Sequence, residues 1–131
     1  MSIIDSSLKY TPEHEWVKTI SDTEILVGIT DFAQGELGEL VYVEVNTVGK
    51  KLRKGDIFGT VEAVKTTSDL FVPVGGTIKE FNEAISEKGG DQPGLINDDP
   101  YGQGWIVRVE INDPAELDTL LSGDEYLALL Q

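Results

Sequence analysis

The chain has 131 residues, 40% of them hydrophobic, which suits one compact domain with a real core and excludes global disorder. Its 24 acidic and 10 basic residues give a net charge of −14, which disfavours nucleic-acid backbones and anionic membranes and favours partners with basic surfaces. The absence of cysteine and the presence of one histidine, His14, exclude thiol chemistry and multi-histidine metal sites.

The first eight residues predict a loose lead-in that carries neither a secretion signal nor an arginine-rich transit sequence. No part of the chain reaches the roughly twenty apolar residues that a membrane span needs. We therefore expect a cytoplasmic protein without a membrane anchor, or a mitochondrial matrix protein only if this is a processed eukaryotic form.

The segment after this lead-in predicts a hairpin, a short helix and a further strand. Residues 16–20 and 24–27 predict two strands joined by a Ser-Asp turn. Thr30 is a suitable N-cap for a short helix whose length is limited by two glycines. In residues 40–45 three valines alternate with tyrosine and glutamate, which predicts a strand with all three valines on one face.

A second hairpin, in the middle of the chain, places a lysine at its tip. Residues 57–64 and 70–72 predict its two strands, and Lys65 lies in the turn between them. At such a position the amine is exposed and can be reached by another enzyme. These properties suit a site of covalent modification, although exposed turn lysines without any such role are common.

The last part of the chain predicts two more strands, a long loop and short helices. Residues 77–81 and 105–111 alternate as strands do, and residues 86–104 are rich in loop-forming Gly, Asp, Asn and Pro. Asp113 and Ser122 are predicted to cap helices, because each is followed three residues later by glutamate. The whole pattern predicts a mostly β fold, an antiparallel sandwich or flattened barrel with short flanking helices, including a C-terminal helical segment.

Several motifs occur together in an order and spacing that are highly specific. They occupy residues 10–17, 28–34, 37–44, 61–65, 95–97 and 100–105. Together they resemble the H-protein family of the glycine cleavage system, a lipoyl-carrying relative of the lipoyl domains of 2-oxo acid dehydrogenases. The resemblance covers nearly the whole chain. It implies a single lipoyl-carrier domain over residues 1–131, with the sandwich of the lipoyl-domain type.

The resemblance implies that Lys65 carries lipoate as an amide, and that the chain is a carrier and not an enzyme. The lipoyl arm would take an aminomethyl group from glycine decarboxylase (P protein) and deliver it to the aminomethyltransferase (T protein). It would then pass reducing equivalents to dihydrolipoyl dehydrogenase (L protein). Lipoylating enzymes are further expected partners, and we expect a monomer that binds no nucleic acid, membrane or metal.

The resemblance also suggests roles for other residues. Glu62 and Asp69 flank the turn, where they are either recognised by the lipoylating enzyme or only keep the hairpin tip soluble. His14 would line the cleft in which the loaded arm rests, whereas without the resemblance it is a strand-edge histidine with no catalytic companion. Residues 86–92 are longer than the usual connection in the family, which leaves open an H-like lipoyl carrier serving another lipoate-dependent redox or lipoyl-relay pathway.

Two further alternatives share this fold class. A biotin carrier would also have a hairpin lysine, but biotin acceptors usually place methionine on both sides of it, where this chain has Val64 and Thr66. A β-module that binds proteins through an unmodified surface is the second alternative. A hydrolase is disfavoured because the chain has no cysteine and no serine in a nucleophile-elbow pattern.

Overall fold

A computed structural model describes residues 3–131 as two antiparallel sheets with short helices around them. The strands are β1 (Lys9–Tyr10), β2 (Glu15–Thr19), β3 (Glu24–Ile29), β4 (Leu40–Glu44), β5 (Lys51–Leu52), β6 (Ile57–Ala63), β7 (Thr67–Phe71), β8 (Gly76–Phe81) and β9 (Val107–Ile111). The helices are α1 (Asp31–Leu37), α2 (Leu95–Asp98), the 3₁₀ helix Pro114–Thr119 and α3 (Gly123–Leu130). Within residues 3–131, no helix has the length and apolarity that crossing a membrane requires.

The larger sheet has the strand order β1-β2-β3-β9-β8-β5, and the smaller sheet has the order β4-β6-β7. All strand pairs are antiparallel. This arrangement confirms the predicted fold, including the hairpin β2–β3, the hairpin β6–β7 and the helical C-terminus. The smaller sheet consists of the β6–β7 hairpin and β4, so β4 is the strand that supports the hairpin carrying Lys65.

The apolar core lies between the two sheets. Val27 and Val109 from the larger sheet and Phe58 and Val61 from the smaller one belong to the same buried cluster. Burying each such side chain stabilises the fold by about 1.5–3 kcal/mol. The inward faces of the two sheets therefore pack against each other through this cluster.

A second buried cluster joins the N-terminal strands to α3. It contains Tyr10, Trp16 and Tyr126, all of them fully buried. The Trp16 indole N–H donates to the Pro100 carbonyl at 2.8 Å, so this aromatic residue has the polar partner that a buried indole needs. Gly28 pairs with Trp16 across β2 and β3, and a Cβ at that position would lie 2.6 Å from the indole.

The predicted helix caps are present. The Thr30 hydroxyl accepts from the Ala33 amide at 3.2 Å at the start of α1. Ser122 and Glu125 form a complete capping box at the start of α3. Asp113 also caps its segment, but that segment is a 3₁₀ helix. The caps are local side-chain contacts, which explains why the sequence pattern identified them.

The prediction that Val41, Val43 and Val45 share one face of a strand was wrong. Val41 is 46% exposed, whereas Leu40 and Val43 are each 2% exposed. The register of β4 against β6 shifts between Leu40 and Tyr42, as it does at a β-bulge. A bulge inserts one residue and reverses the alternation, so Leu40 replaces Val41 in the core.

The prediction of an irregular loop over residues 86–104 was wrong over four residues, which form helix α2. Its N-cap position is Gly94, which has no side chain to signal a helix start. Ile96, in the middle of α2, is fully buried in the main core. Tertiary burial of this isoleucine therefore stabilises a helix that local propensity does not predict.

Candidate functional site

Lys65 lies at the tip of the β6–β7 hairpin, between the end of β6 at Ala63 and the start of β7 at Thr67. The last strand pair is Glu62 with Thr67, and beyond it the Ala63 amide donates to the Thr66 carbonyl at 2.7 Å. Val64 and Lys65, the two residues that this hydrogen bond encloses, are exposed. In the described part of the chain the Lys65 amine has no hydrogen bond and no ion pair. The hairpin thus holds the backbone of the lysine while its side chain extends into solvent.

Glu62 and Asp69 lie on the outer face of the same hairpin. Glu62 pairs with Thr67, and Asp69 pairs with Thr60. Because alternate residues of a strand share a face, all four side chains are on the side opposite the core, and the two carboxylates are diagonal neighbours. Both are exposed. The structure therefore brings Lys65, Glu62 and Asp69 together on one accessible element.

His14 is half-buried in the turn before β2, where its backbone has a φ of 72°. This left-handed conformation is uncommon for a residue other than glycine. Its Nδ1 lies 2.7 Å from the Tyr126 hydroxyl, and its ring centroid lies 4.9 Å from that of Phe32. Burial lowers the pKa of His14, while Glu13 and Glu36 oppose that shift. The neutral imidazole is therefore the favoured form in this contact.

His14 and Lys65 lie at opposite ends of α1. The His14 carbonyl accepts from the amide of Thr30, the N-cap of α1, at 3.0 Å. The turn that carries Lys65 is bonded instead to Glu39, beyond the other end of the helix, through the Val64 amide at 3.3 Å. Seven helical residues span about 10 Å. The structure therefore does not place His14 beside the lysine turn, and a contact with an attached arm would require the arm to fold back along α1.

Tyr126 connects α3 to the start of α1. Its hydroxyl lies 2.8 Å from the Thr30 hydroxyl, which caps α1. Its ring stacks on Tyr10 with a centroid distance of 4.7 Å. Burial is the main cause that raises the pKa of Tyr126 to about 12, so the phenol remains protonated at neutral pH. One phenol thus joins His14, Thr30 and the C-terminal helix.

We expect Tyr126→Phe to lower the free energy of unfolding by about 1–3 kcal/mol, because it leaves the His14 ring and the Thr30 hydroxyl without this partner. Urea unfolding at neutral pH measures the loss. Tyr42→Phe is the matched control, since the hydroxyl of Tyr42 has only an exposed contact with Glu44 at 3.4 Å. Equal stabilities of the two variants would contradict the role of the Tyr126 hydroxyl.

Glu15 is a buried carboxyl group that the sequence pattern did not single out. It is 2% exposed and joins the sheets, because its carboxylate accepts from the Thr11 hydroxyl at 2.6 Å and from the Phe71 amide at 3.4 Å. Burial raises the pKa of Glu15 to about 7, although both hydrogen bonds oppose the shift. Its position at the start of β2 carries no local signal, since the partner strand β7 is remote in sequence.

No group of three or more His, Asp or Glu side chains in residues 3–131 is arranged to hold a metal ion. The β6–β7 hairpin combines an exposed lysine at its tip with two exposed carboxylates beside the turn. The amine of Lys65 is its nucleophilic group.

Comparison with known proteins identifies the family and agrees with this fold. The family model described as "Glycine cleavage H-protein" matches residues 8–131. The glycine cleavage system H protein of Carboxydothermus hydrogenoformans is 49% identical over 131 residues, which cover 100% of this chain and 97% of the relative. That of Prosthecochloris aestuarii is 51% identical over 124 residues, 94% of each chain.

A solved structure gives the same result. The crystal structure of a glycine cleavage system H protein from Mycobacterium marinum superimposes with a TM-score of 0.80 at 36% sequence identity, covering 95% of this chain and 97% of that chain. The resemblance seen in the motifs is thus confirmed over nearly the full length. The chain belongs to the glycine cleavage H-protein family.

Proposed function

We propose that this chain is the lipoyl-bearing carrier of the glycine cleavage system, a single domain that transports a bound group between enzymes and catalyses no step itself. The observation that carries the proposal is the exposed amine of Lys65 at the tip of the β6–β7 hairpin, in a chain of the glycine cleavage H-protein family. We place the protein in the cytoplasm, in keeping with its bacterial relatives.

The geometry of the turn fits attachment through an amide. Nζ of Lys65 attacks the carbonyl carbon of an activated lipoyl group, one proton leaves the nitrogen, and the activating group departs as the amide forms. The hydrogen bond from Ala63 to Thr66 and the pairing of Glu62 with Thr67 hold the backbone beneath the lysine. When attached, the lipoyl group supplies a disulfide ring that accepts the aminomethyl group and two electrons.

The proposed carrier serves three enzymes in turn. Glycine decarboxylase loads the aminomethyl group, the aminomethyltransferase passes its carbon to tetrahydrofolate and releases ammonia, and dihydrolipoyl dehydrogenase reoxidises the dithiol. A tether raises the effective concentration of the carried group at each active site. The net charge of −14 favours encounter with enzymes that present basic surfaces around those sites.

We further propose that the lipoylating enzyme recognises Glu62 and Asp69. Their support is geometric, since both are exposed on the same outer face next to the lysine turn.

His14 is proposed as a wall of the cleft for the loaded arm. It serves this role in the conformation where the arm folds back along α1, and its half-buried ring beside Phe32 would then help to exclude water.

A second candidate function is an H-like lipoyl carrier for another lipoate-dependent redox or lipoyl-relay pathway. The observation that favours it is the long connection after β8. Its residues Ser86, Glu87 and Lys88 form a cleft of about 290 Å³ with Phe81 of β8 and with β4, the strand that pairs with the lysine hairpin. A connection of this length changes the surface that a partner enzyme meets.

The intact mass of protein purified from its natural host tests the attachment. We expect an increase by one lipoyl group that peptide mapping assigns to Lys65, because an exposed hairpin lysine is accessible to a lipoylating enzyme. The lipoylated protein is then added to glycine decarboxylase, where it should support exchange of carbon dioxide into glycine. A biotinyl increment, a bare chain or lipoate on another residue would contradict the proposal, while lipoylation without exchange would favour the second candidate.

A further inference from the structure

We propose that Asn97 is a positioning residue for the lysine turn, through a hydrogen-bonded clamp on the segment Gly38-Glu39-Leu40. The inference rests on the proposed lipoylation of Lys65. Asn97 lies in α2, the short helix that the sequence pattern did not predict, and it is remote in sequence from the hairpin.

The side chain of Asn97 uses its full donor capacity on this segment and its neighbour. Its Nδ2 donates to the Gly38 carbonyl at 2.9 Å and to Gln34 Oε1 at 2.9 Å, and its Oδ1 accepts from the Leu40 amide at 3.0 Å. An asparagine side chain has two N–H donors and one carbonyl acceptor. Both backbone groups that flank Glu39 are therefore bonded to the same side chain.

The clamped segment is in direct contact with the lysine turn. The Glu39 carbonyl accepts from the Val64 amide at 3.3 Å, and Leu40 pairs with Ala63. Val64 immediately precedes Lys65. The Glu39 carbonyl is therefore a backbone acceptor for the turn itself, next to the pairing of β4 with β6.

The clamp is needed because the chain makes a sharp change of direction there. Gly38 ends α1 with a φ of 82°, a left-handed conformation that glycine adopts readily. Its amide donates to the Gln34 carbonyl at 2.9 Å. Glycine has no side chain that could restrain its own backbone. The hydrogen bonds from Asn97 to the Gly38 carbonyl and from the Leu40 amide to Asn97 supply that restraint instead.

The clamp is itself anchored in the core. Ile96, the neighbour of Asn97, is fully buried in the main apolar cluster. On the other side, the Gln34 side chain is oriented by its own bond, because its Nε2 donates to Asp31 at 2.8 Å. The buried Ile96 thus fixes the position of Asn97, and Asn97 restrains the backbone on both sides of Glu39. The Glu39 carbonyl in turn contacts the lysine turn through the Val64 amide.

A modifying enzyme must bind the turn in one conformation before the amine can react. If the turn is held in advance, the enzyme does not have to order it on binding. Losing the clamp should therefore weaken binding of the unmodified protein and leave the attack of the free amine on the activated lipoyl carbonyl unchanged. The expected signature is an increase in KM with little change in kcat.

The test uses Asn97→Ala and Asn97→Asp, with Asn82→Ala as the matched control. Asn82 also makes three hydrogen bonds, from Nδ2 to the carbonyls of Gln103 and Trp105 and from the Ala84 amide to Oδ1. The two bonds from Nδ2 join the end of β8 to the segment before β9, away from the hairpin. Asn97→Asp keeps the shape of the side chain and the acceptor for Leu40 but loses both donors.

The first measurement is amide hydrogen exchange of the unmodified proteins, which does not depend on lipoylation. In both Asn97 variants we expect exchange at Val64 to rise about tenfold, since its acceptor segment is no longer restrained. Exchange in the paired strands β2 and β3 should change less. In Asn82→Ala, exchange at Val64 should stay at its wild-type rate relative to those strands.

The second measurement is the steady-state rate of lipoylation by a lipoate–protein ligase with lipoate and ATP, which yields the lipoyl amide, AMP and pyrophosphate. We expect KM for both Asn97 variants to rise about tenfold with kcat within about twofold, while Asn82→Ala resembles the wild type. Unchanged KM and unchanged exchange at Val64 in Asn97→Ala, or wild-type behaviour of Asn97→Asp, would overturn the clamp. Failure of the wild-type protein to be lipoylated at Lys65 would instead overturn the proposed function.

Discussion

Replacing Lys65 with arginine is expected to abolish lipoylation and glycine turnover while the fold remains intact. A guanidinium group stays charged at any pH that proteins tolerate, so it has no free electron pair with which to attack an activated acyl group. The side chain at this position is exposed and makes no hydrogen bond or ion pair within residues 3–131. The change should therefore alter the free energy of unfolding by no more than about 0.5 kcal/mol.

Intact mass after incubation with a lipoate–protein ligase measures the first part of this expectation, and exchange of carbon dioxide into glycine measures the second. Lys51→Arg is a matched control, because Lys51 is an exposed lysine on β5, in the other sheet. That variant should be lipoylated as the wild type is. Glycine turnover by Lys65→Arg at the wild-type rate would show that the carried group is attached elsewhere.

The free energy of unfolding is expected to fall by about 3 kcal/mol between pH 4.5 and about pH 8 because of Glu15 alone. Burial raises the pKa of this carboxyl group from 4.5 in the unfolded chain to about 7 in the folded protein. The folded state therefore holds the proton more tightly than the unfolded state does. This contribution to stability is fully present below pH 4.5 and is lost as the pH rises through about 7.

Glu15→Gln should remove this dependence, because the amide keeps the shape of the neutral carboxyl group and cannot ionise. Urea unfolding across the pH range measures the difference between variant and wild type, in which shared contributions cancel. His14 is one such contribution, and its lowered pKa gives a slope of opposite sign at mildly acidic pH. The variant should be the more stable protein at pH 8, by the same ~3 kcal/mol.

The exposed neighbour Glu13 provides the control for this experiment. Glu13→Gln should change the free energy of unfolding by no more than about 0.5 kcal/mol at any pH, since its side chain is exposed. If the free energy of unfolding depends on pH in the same way for the wild type and Glu15→Gln, burial does not raise the pKa of Glu15. In that case Glu15 is ionised where it accepts the hydrogen bond from the Phe71 amide of β7.

The features that could be predicted from sequence are those set by neighbouring residues. The β6–β7 turn follows from two β-forming runs separated by a short polar segment, so the position of Lys65 was evident without a structure. The caps at Thr30 and Ser122 are contacts over three residues. The outer-face positions of Glu62 and Asp69 follow from strand alternation once the two strands are paired.

The features that could not be predicted depend on partners far along the chain. Val41 is outside the core because of a bulge that the pairing of β4 with β6 introduces. Helix α2 forms around the buried Ile96 and not around a cap. Neither the bulge nor the helix can be recognised from neighbouring residues, because each depends on the surface against which its segment packs.

The amino-acid sequence alone was sufficient for the fold class, the family and the position of Lys65 at a hairpin tip, since these rest on short-range patterns and on motif order. Tertiary structure decided which side chains meet over long separations in sequence. Glu15 meets its partner strand across 56 residues, Asn97 meets Leu40 across 57, and His14 meets Tyr126 across 112. Contacts at such separations form only when the two sheets and α3 close on a common core, because the free energy that stabilises them comes from burial and not from local propensity.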